Sequence, residues 1–261
     1  AHRLLPQKPR RRPLSKFVSA RVDVLGVGFD RVDLAGAAER ILRRLDAGER
    51  TFVITANPEF VMLTRQDEAL AQTAREADLV VADGSGVVAA SRLLGDPLPR
   101  VPGRLLVDAL VPHLAQRRSP VFFLGAAPGV GERAAAEVRR RAPGFVVAGV
   151  HAGSAEPEDD ALSLERVRKS GARVLLVAYG MPKQERWIAR NLPALPTVRV
   201  AIGVGGVFDQ LAGVQKVPPP ALHAIGLEWL WRLAREPRRW RRQRVLPLFA
   251  LLVLRKRLVD R

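Results

Sequence analysis

Four segments of this chain place polar, acidic or glycine residues at the close of an apolar run, where side chains and bare backbone are both open to a ligand. They are Thr55-Ala56-Asn57-Pro58, Ala82-Asp83-Gly84-Ser85-Gly86, Gly180-Met181-Pro182-Lys183-Gln184-Glu185 and Gly203-Val204-Gly205-Gly206-Val207-Phe208-Asp209. Asp83 directly follows an apolar strand-like run, a setting in which partial burial tunes a carboxylate for general-base work; a capping Asp in a tight turn has the same local sequence. Asn57 before Pro58 has the chemistry of a helix N-cap, and a capped helix start also offers N–H groups to phosphate. Lys183 and Gln184 carry the groups to meet a diphosphate or a sugar. The plainer reading of that segment is a solvated first helical turn in which Glu185 favours the helix dipole. The glycines of 203–206 suit close contact with a nucleotide or phosphate, although a glycine-rich turn by itself is a weak signal.

The elements that would position these residues alternate. Apolar strand-like runs occupy 21–28, 51–56, 79–82, 120–125, 145–150, 173–179 and 198–204. Helical patterns lie between them at 33–47, 58–77, 85–94, 104–117, 128–141, 157–170 and 182–191. Near-continuous apolar strands separated by amphipathic helices predict an α/β fold, a Rossmann-like, mostly parallel sheet covered on both faces. In such sheets ligands bind beyond the carboxyl ends of the strands, which is where the four segments fall. After about residue 213 strands stop, Pro218-Pro219-Pro220 punctuates the chain, and basic helical segments follow at about 221–235 and 238–259. The expected organisation is a basic tail over 1–20, an α/β core over 21–213 and a helical, membrane-associating appendage over 214–261.

The net charge of +17 over 261 residues calls for an anionic partner. It is concentrated at the ends: residues 1–22 carry seven basic and no acidic side chains, and residues 217–261 carry eleven basic and three acidic ones. The basic start lacks the apolar stretch of a secretion signal, and no run reaches the roughly 18 apolar residues of a membrane span. Tryptophans at 229, 231 and 240, interleaved with arginines, fit an interfacial helix on an anionic membrane surface. Core packing of the same tryptophans beside solvated arginines is the simpler alternative. The expected location is therefore cytoplasmic and peripheral, on the inner face of the cell membrane.

Several chemistries are excluded or weakened. The absence of cysteine removes disulfides, thiolate catalysis and zinc–thiolate sites. No Asp-x-Asp triplet offers a divalent metal to a nucleotide sugar, the four histidines lack ligand spacing, and no Gly-x-Ser-x-Gly elbow is present. The loop Gly125-Ala126-Ala127-Pro128-Gly129-Val130-Gly131 is not followed by an acidic residue at the end of the next run, which reads Gly149-Val150-His151, so a dehydrogenase scores poorly. A nucleotide-binding enzyme of another type, a dehydrogenase or epimerase, and a basic nucleic-acid-binding protein remain as alternatives; the basic segments are interleaved with Leu, Trp and Phe and contain no recognised nucleic-acid module.

Taken in order, TANPEFV (55–61), ADLVVADGSGVV (77–88), PLPRVPG (97–103), FFLGAAPGVG (122–131), VAYGMPKQERWI (177–188), GVGGVFDQLAG (203–213) and GLEWLWRLAREPRRWRR (226–242) resemble the WecG/TagA/CpsF family of glycosyltransferases. The resemblance covers roughly residues 22–249. It implies an inverting, metal-independent transferase without a cofactor, which moves N-acetylmannosamine or a related hexose or uronic acid from a UDP-sugar to a polyprenyl-diphosphate-linked saccharide. Nucleic acid is not expected as a partner, and a homo-oligomer is left open. Carried over residue by residue, the resemblance makes Asp83 the base and places Thr55 and Asn57 in the sugar and acceptor pocket. It sets Arg100 near the donor diphosphate, Gln184 near the active site, and Gly205, Gly206 and Asp209 near uridine. Arg232, Arg239 and Arg242 match the appendage arginines that close over the pocket. One departure bears on donor choice: Arg104-Leu105-Leu106 follows Gly103 where the family often has an acidic residue.

Overall fold

A computed structural model describes residues 21–217, 219, 222, 228–235 and 240–259. Six strands form one parallel sheet: β3 (Thr51–Ala56), β4 (Leu79–Ala82), β5 (Val121–Gly125), β6 (Val147–His151), β7 (Val174–Ala178) and β8 (Val200–Gly203). Their order across the sheet is β4-β3-β8-β7-β5-β6, every neighbouring pair parallel. Alternate residues of each strand enter opposite cores. Phe52, Ile54, Val80, Ala82, Phe122 and Leu124 face one, while Val53, Leu79, Val81, Val121 and Phe123 face the other. That two-sided burial is why the strands read as continuous apolar runs rather than as alternating ones.

Helices α1 (Leu34–Asp46), α5 (Gly103–Gln116), α6 (Val130–Arg141) and α9 (Val207–Leu211) cover one face. The other is covered by α2 (Pro58–Thr64), α3 (Glu68–Glu76), α4 (Ser85–Leu93), α7 (Asp160–Ser170) and α8 (Lys183–Asn191). The result is the expected Rossmann-like α/β architecture.

Two local expectations are corrected. The run at 21–28 is not a sheet strand but a hairpin of β1 (Val22–Val24) and β2 (Val27–Phe29), paired antiparallel outside the main sheet. Its turn needs two positive φ angles, 54° at Leu25 and 95° at Gly26, and Asp23 Oδ2 accepts from the Gly26 N–H at 2.9 Å. The helical pattern at 58–77 is two helices, because Asp67 caps a new start by accepting from the Leu70 N–H at 3.0 Å.

Beyond the sheet come α10 (Glu228–Arg235), α11 (Trp240–Gln243) and α12 (Val245–Val259). Phe249 and Val253 of α12 are buried in the core shared with α2 and α4, and Lys256 pairs with Asp23 of the hairpin. Among the described residues no helix is long and apolar enough to cross a membrane. The expected tail over 1–20 lies outside the described residues, as do Pro218 and Pro220.

Candidate active site

The sheet order decides which strand ends meet. Because β3 lies between β4 and β8, the residues after these three strands share one end of the sheet. Thr55 Oγ1 donates to the carbonyl of Gly203 at 3.2 Å, tying the ends of β3 and β8. The Asp83 N–H donates to the Ala56 carbonyl at 2.9 Å, carrying the β3–β4 ladder past the last strand residue. Asp83, Thr55 and Asn57, some thirty residues apart in sequence, are thereby neighbours, all half-buried.

Arg100 reaches the same place from the far side of β4. The Val101 N–H donates to the Ala82 carbonyl at 2.8 Å, so this segment runs along the sheet edge, and Arg100 Nε donates to the Asp83 carbonyl at 3.3 Å. Arg100 also borders a depression of about 1060 Å³ between α1 and α5. A permanent cation is thus held beside the backbone of the candidate base.

The glycines have packing reasons. A Cβ on Gly84 would lie 2.8 Å from Pro58 Cδ, and one on Gly86 would lie 2.7 Å from Pro58 Cγ. The start of α4 therefore rests on the start of α2, and only glycine permits that distance. Asn57 is a cap: its Oδ1 accepts from the Phe60 N–H at 3.0 Å. The capping reading and a place in the site coexist, since Asn57 also lines the groove described below.

The Pro182-Lys183-Gln184-Glu185 segment divides three ways. Lys183 is at the surface, paired to Glu156 at 2.8 Å. Gln184 is 3% exposed and works behind the glycine loop: its Oε1 accepts from the Gly205 N–H at 2.9 Å, and its Nε2 donates to Glu185 Oε1 at 2.8 Å. A Cβ on Gly203 would collide with that amide at 2.6 Å, so β8 must end in glycine for Gln184 to pass.

Glu185 corrects the solvated-turn reading. It is 1% exposed, burial pushes its carboxyl up to about 7, and its Oε2 has no hydrogen-bond partner. A charged carboxylate without a cationic neighbour is costly in such a place, so it holds a proton more tightly than usual. Sequence reasoning missed this residue because helix-start acids are normally solvated. The one available signal was the apolar Trp187-Ile188 pair that follows Arg186, both fully buried.

The glycine loop itself is open. Gly205 has φ 52°, with nothing near a Cβ built on it. The Oδ2 of Asp209 lies 3.8 Å from such a position on Gly206. Arg104, at the family departure, bonds Asp108 at 2.9 Å and Gln210 at 3.4 Å, so it borders α9 next to Asp209.

Sequence reasoning also set aside the 125–131 loop. β5 connects outward to the edge strand β6, whereas the adjacent β7 connects the other way to β8, so the winding reverses between β5 and β7. The loop leaving β5 has positive φ at Gly125, Ala126 and Gly129 and leads into the start of α6. This is a topological switch point, the usual ligand crevice of doubly wound sheets.

Of the appendage arginines, Arg232 falls on α10 and Arg242 on α11, while Arg239 lies outside the described residues. Among the described residues no three His, Cys, Asp or Glu side chains gather as a metal ligand set.

Comparison with known proteins follows the same lines. Residues 22–261 match the family described as "Glycosyl transferase WecG/TagA/CpsF family". An "N-acetylglucosaminyldiphosphoundecaprenol N-acetyl-beta-D-mannosaminyltransferase" from Staphylococcus aureus is 34% identical over 235 residues, 88% of this chain and 91% of the relative. A protein of the same name from Bacillus spizizenii is 34% identical over 212 residues, 81% of each chain. With a family match that spans the sheet, the strand-end site and the terminal helices, the chain belongs to the WecG/TagA/CpsF family of glycosyltransferases.

Proposed function

We propose that this glycosyltransferase moves a hexose, N-acetylmannosamine or a related sugar, from a UDP donor to a polyprenyl-diphosphate-linked saccharide, with inversion and without a metal. The observation that supports the reading best is the meeting of Asp83, Thr55, Asn57 and the Gly205 loop at one end of the sheet, with the Arg100 guanidinium bonded to the Asp83 backbone. The relatives' names supply the acceptor class and the favoured sugar.

In this mechanism Asp83 takes the proton of the acceptor hydroxyl as its oxygen attacks the anomeric carbon from the side opposite UDP. The C–O bond to acceptor forms, the bond to the diphosphate breaks, and the electron pair leaves with UDP. The transition state has oxocarbenium character, as in glycoside cleavage. Arg100 supplies positive charge for the departing diphosphate, and Arg232, Arg239 and Arg242 are assigned to the same task. The Gly205, Gly206 and Asp209 loop is assigned to uridine, held from behind by Gln184. Lys183 keeps a supporting place at the rim.

Attachment to an anionic membrane, on the cytoplasmic face, belongs to the same proposal. Leu251 (61% exposed), Leu258 (72%) and Val259 (75%) of α12 stand on the surface beside Arg255 and Arg257, the mixture that suits a lipid interface.

The test is a thermal-shift panel of nucleotide sugars, followed by product mass with UDP-N-acetylmannosamine and a short-chain polyprenyl-diphosphate N-acetylglucosamine acceptor. Selective stabilisation by UDP-sugars and a product heavier by one N-acetylhexosamine residue, formed in the presence of EDTA, are expected. Stabilisation by NADH instead, or no product with any UDP-sugar, would overturn the proposal.

A further inference from the structure

An apolar groove of about 770 Å³ separates α4 from the terminal helices. Leu93 forms part of one wall; Trp229 and Leu233 of α10, Trp240 of α11 and Ala250 and Leu254 of α12 form the other. Trp229, Trp240 and Leu254 remain 42%, 56% and 50% exposed, so the helices meet the core without closing over this space. A contiguous apolar concavity of this size marks a binding site rather than an accident of packing.

The groove's course indicates its occupant. Its lining includes Asn57, Gly84, Ser85 and Gly86, which lie beside Asp83 at the strand ends. The exposed Arg244 also lines it. Hydrocarbon surface, a cation and residues that flank Asp83 thus line a single groove. A second copy of the chain would need an interface, but would have no reason to lead into strand ends. A chain of hydrocarbon joined through phosphate to a sugar matches all three parts.

We infer that this groove receives the first isoprene units of the polyprenyl-diphosphate acceptor, and that Arg244 meets its diphosphate where the groove opens to the strand ends. The inference rests on the function proposed above. A lipid bilayer is as apolar as the groove, so moving the chain between them yields little driving force. What the groove supplies is direction: a chain lying along α12 fixes where the diphosphate emerges, and so aims the sugar hydroxyl at the site of Asp83.

Two measurements on the full chain test it. The first needs no catalysis. A diazirine-bearing farnesyl diphosphate is photolysed with the protein, and the adducts are mapped by mass spectrometry. Adducts on α4, α10 or α12, competed by unlabelled farnesyl diphosphate and not by inorganic diphosphate, are expected; adducts confined to other elements would overturn the inference. The second compares KM for a geranylgeranyl-diphosphate acceptor and a short alkyl-diphosphate acceptor in Ala250→Trp, which fills the groove. The ratio of long-chain to short-chain KM should rise about tenfold. An unchanged ratio refutes the groove, including the case in which the variant turns a dimer into a monomer and so reveals a contact between copies. Adducts in the groove without transfer to any acceptor would remove the proposed function and leave a prenyl-diphosphate site; transfer with adducts elsewhere would do the reverse.

Discussion

Replacing Glu185 with Gln should change how stability depends on pH more than it changes stability itself. In the folded protein burial raises the Glu185 carboxyl from 4.5 to about 7. That change corresponds to roughly 3 kcal/mol of difference between the protonated and ionised forms. Its sign follows from proton linkage. Between these two values the folded state holds the proton and the unfolded state does not, so the carboxyl's contribution to stability is full below about pH 4.5 and is lost as pH rises through about 7. Gln is close to isosteric, keeps an acceptor for the Gln184 Nε2 donor, and does not titrate. The difference in unfolding free energy between wild type and Glu185→Gln should therefore move by about 2–3 kcal/mol in the variant's favour from pH 5 to pH 8, most of it before pH 7.5. For a chain of this size that is a relative gain of roughly 5–10 °C in Tm. Comparing the two proteins at each pH cancels the other titrating groups. Thermal unfolding followed by circular dichroism at pH 5, 6, 7 and 8 is sufficient. Parallel Tm curves would refute the argument, because they would mean that the carboxyl is not protonated more readily in the folded state. The same variant separates fold from function: if Glu185 only holds the Gln184 amide that bonds Gly205, UDP-sugar affinity should change little.

Asp83→Asn should retain UDP-sugar binding by thermal shift and lose about 10²–10⁴-fold in turnover; near-normal turnover would remove Asp83 from the role of base. Gly86→Ala puts a methyl group 2.7 Å from Pro58 and should lower stability by about 1–3 kcal/mol, seen in urea unfolding, as α4 is pushed off α2. Arg104→Glu should alter the ranking of UDP-sugars in competition assays while leaving the fold intact, because Arg104 borders Gln210 beside the loop assigned to uridine. A double Leu251→Ser, Leu258→Ser variant should sediment less with anionic vesicles than wild type; equal sedimentation would move the membrane contact elsewhere.

What the sequence made legible follows from how each feature is encoded. Five of the six sheet strands are buried on both faces, the edge strand β6 only partly, so their apolar runs stand out, and the helices between them carry apolar stripes. The order of those strands is not written in any local pattern. That β3 separates β4 from β8, and so gathers Thr55, Asp83 and the Gly203 loop, depends on crossovers between distant segments. The hairpin at Val22–Phe29 escaped because glycines in an apolar run read as part of a strand, although two adjacent positive φ angles turn the chain back there. Glu185 escaped for the opposite reason: a local rule about acids at helix starts was sound, and burial of this helical turn in the core overrode it.

The terminal helices show how far composition reaches. Basic residues interleaved with tryptophan favoured an interfacial surface over core packing, and α12 itself has one buried side and one exposed apolar side. Phe249 and Val253 are buried against the sheet's covering helices, Leu251 and Leu258 face solvent, and Ala250 and Leu254 line the groove. One fifteen-residue helix thus anchors, faces outward and borders a channel to the strand ends. A helix apolar on nearly every side has no single stripe from which these roles could be read. Their division depends on the packing of α12 over α2 and α4, and that packing in turn brings Asn57 and Gly84, at the starts of those helices and beside Asp83, into the lining of the groove.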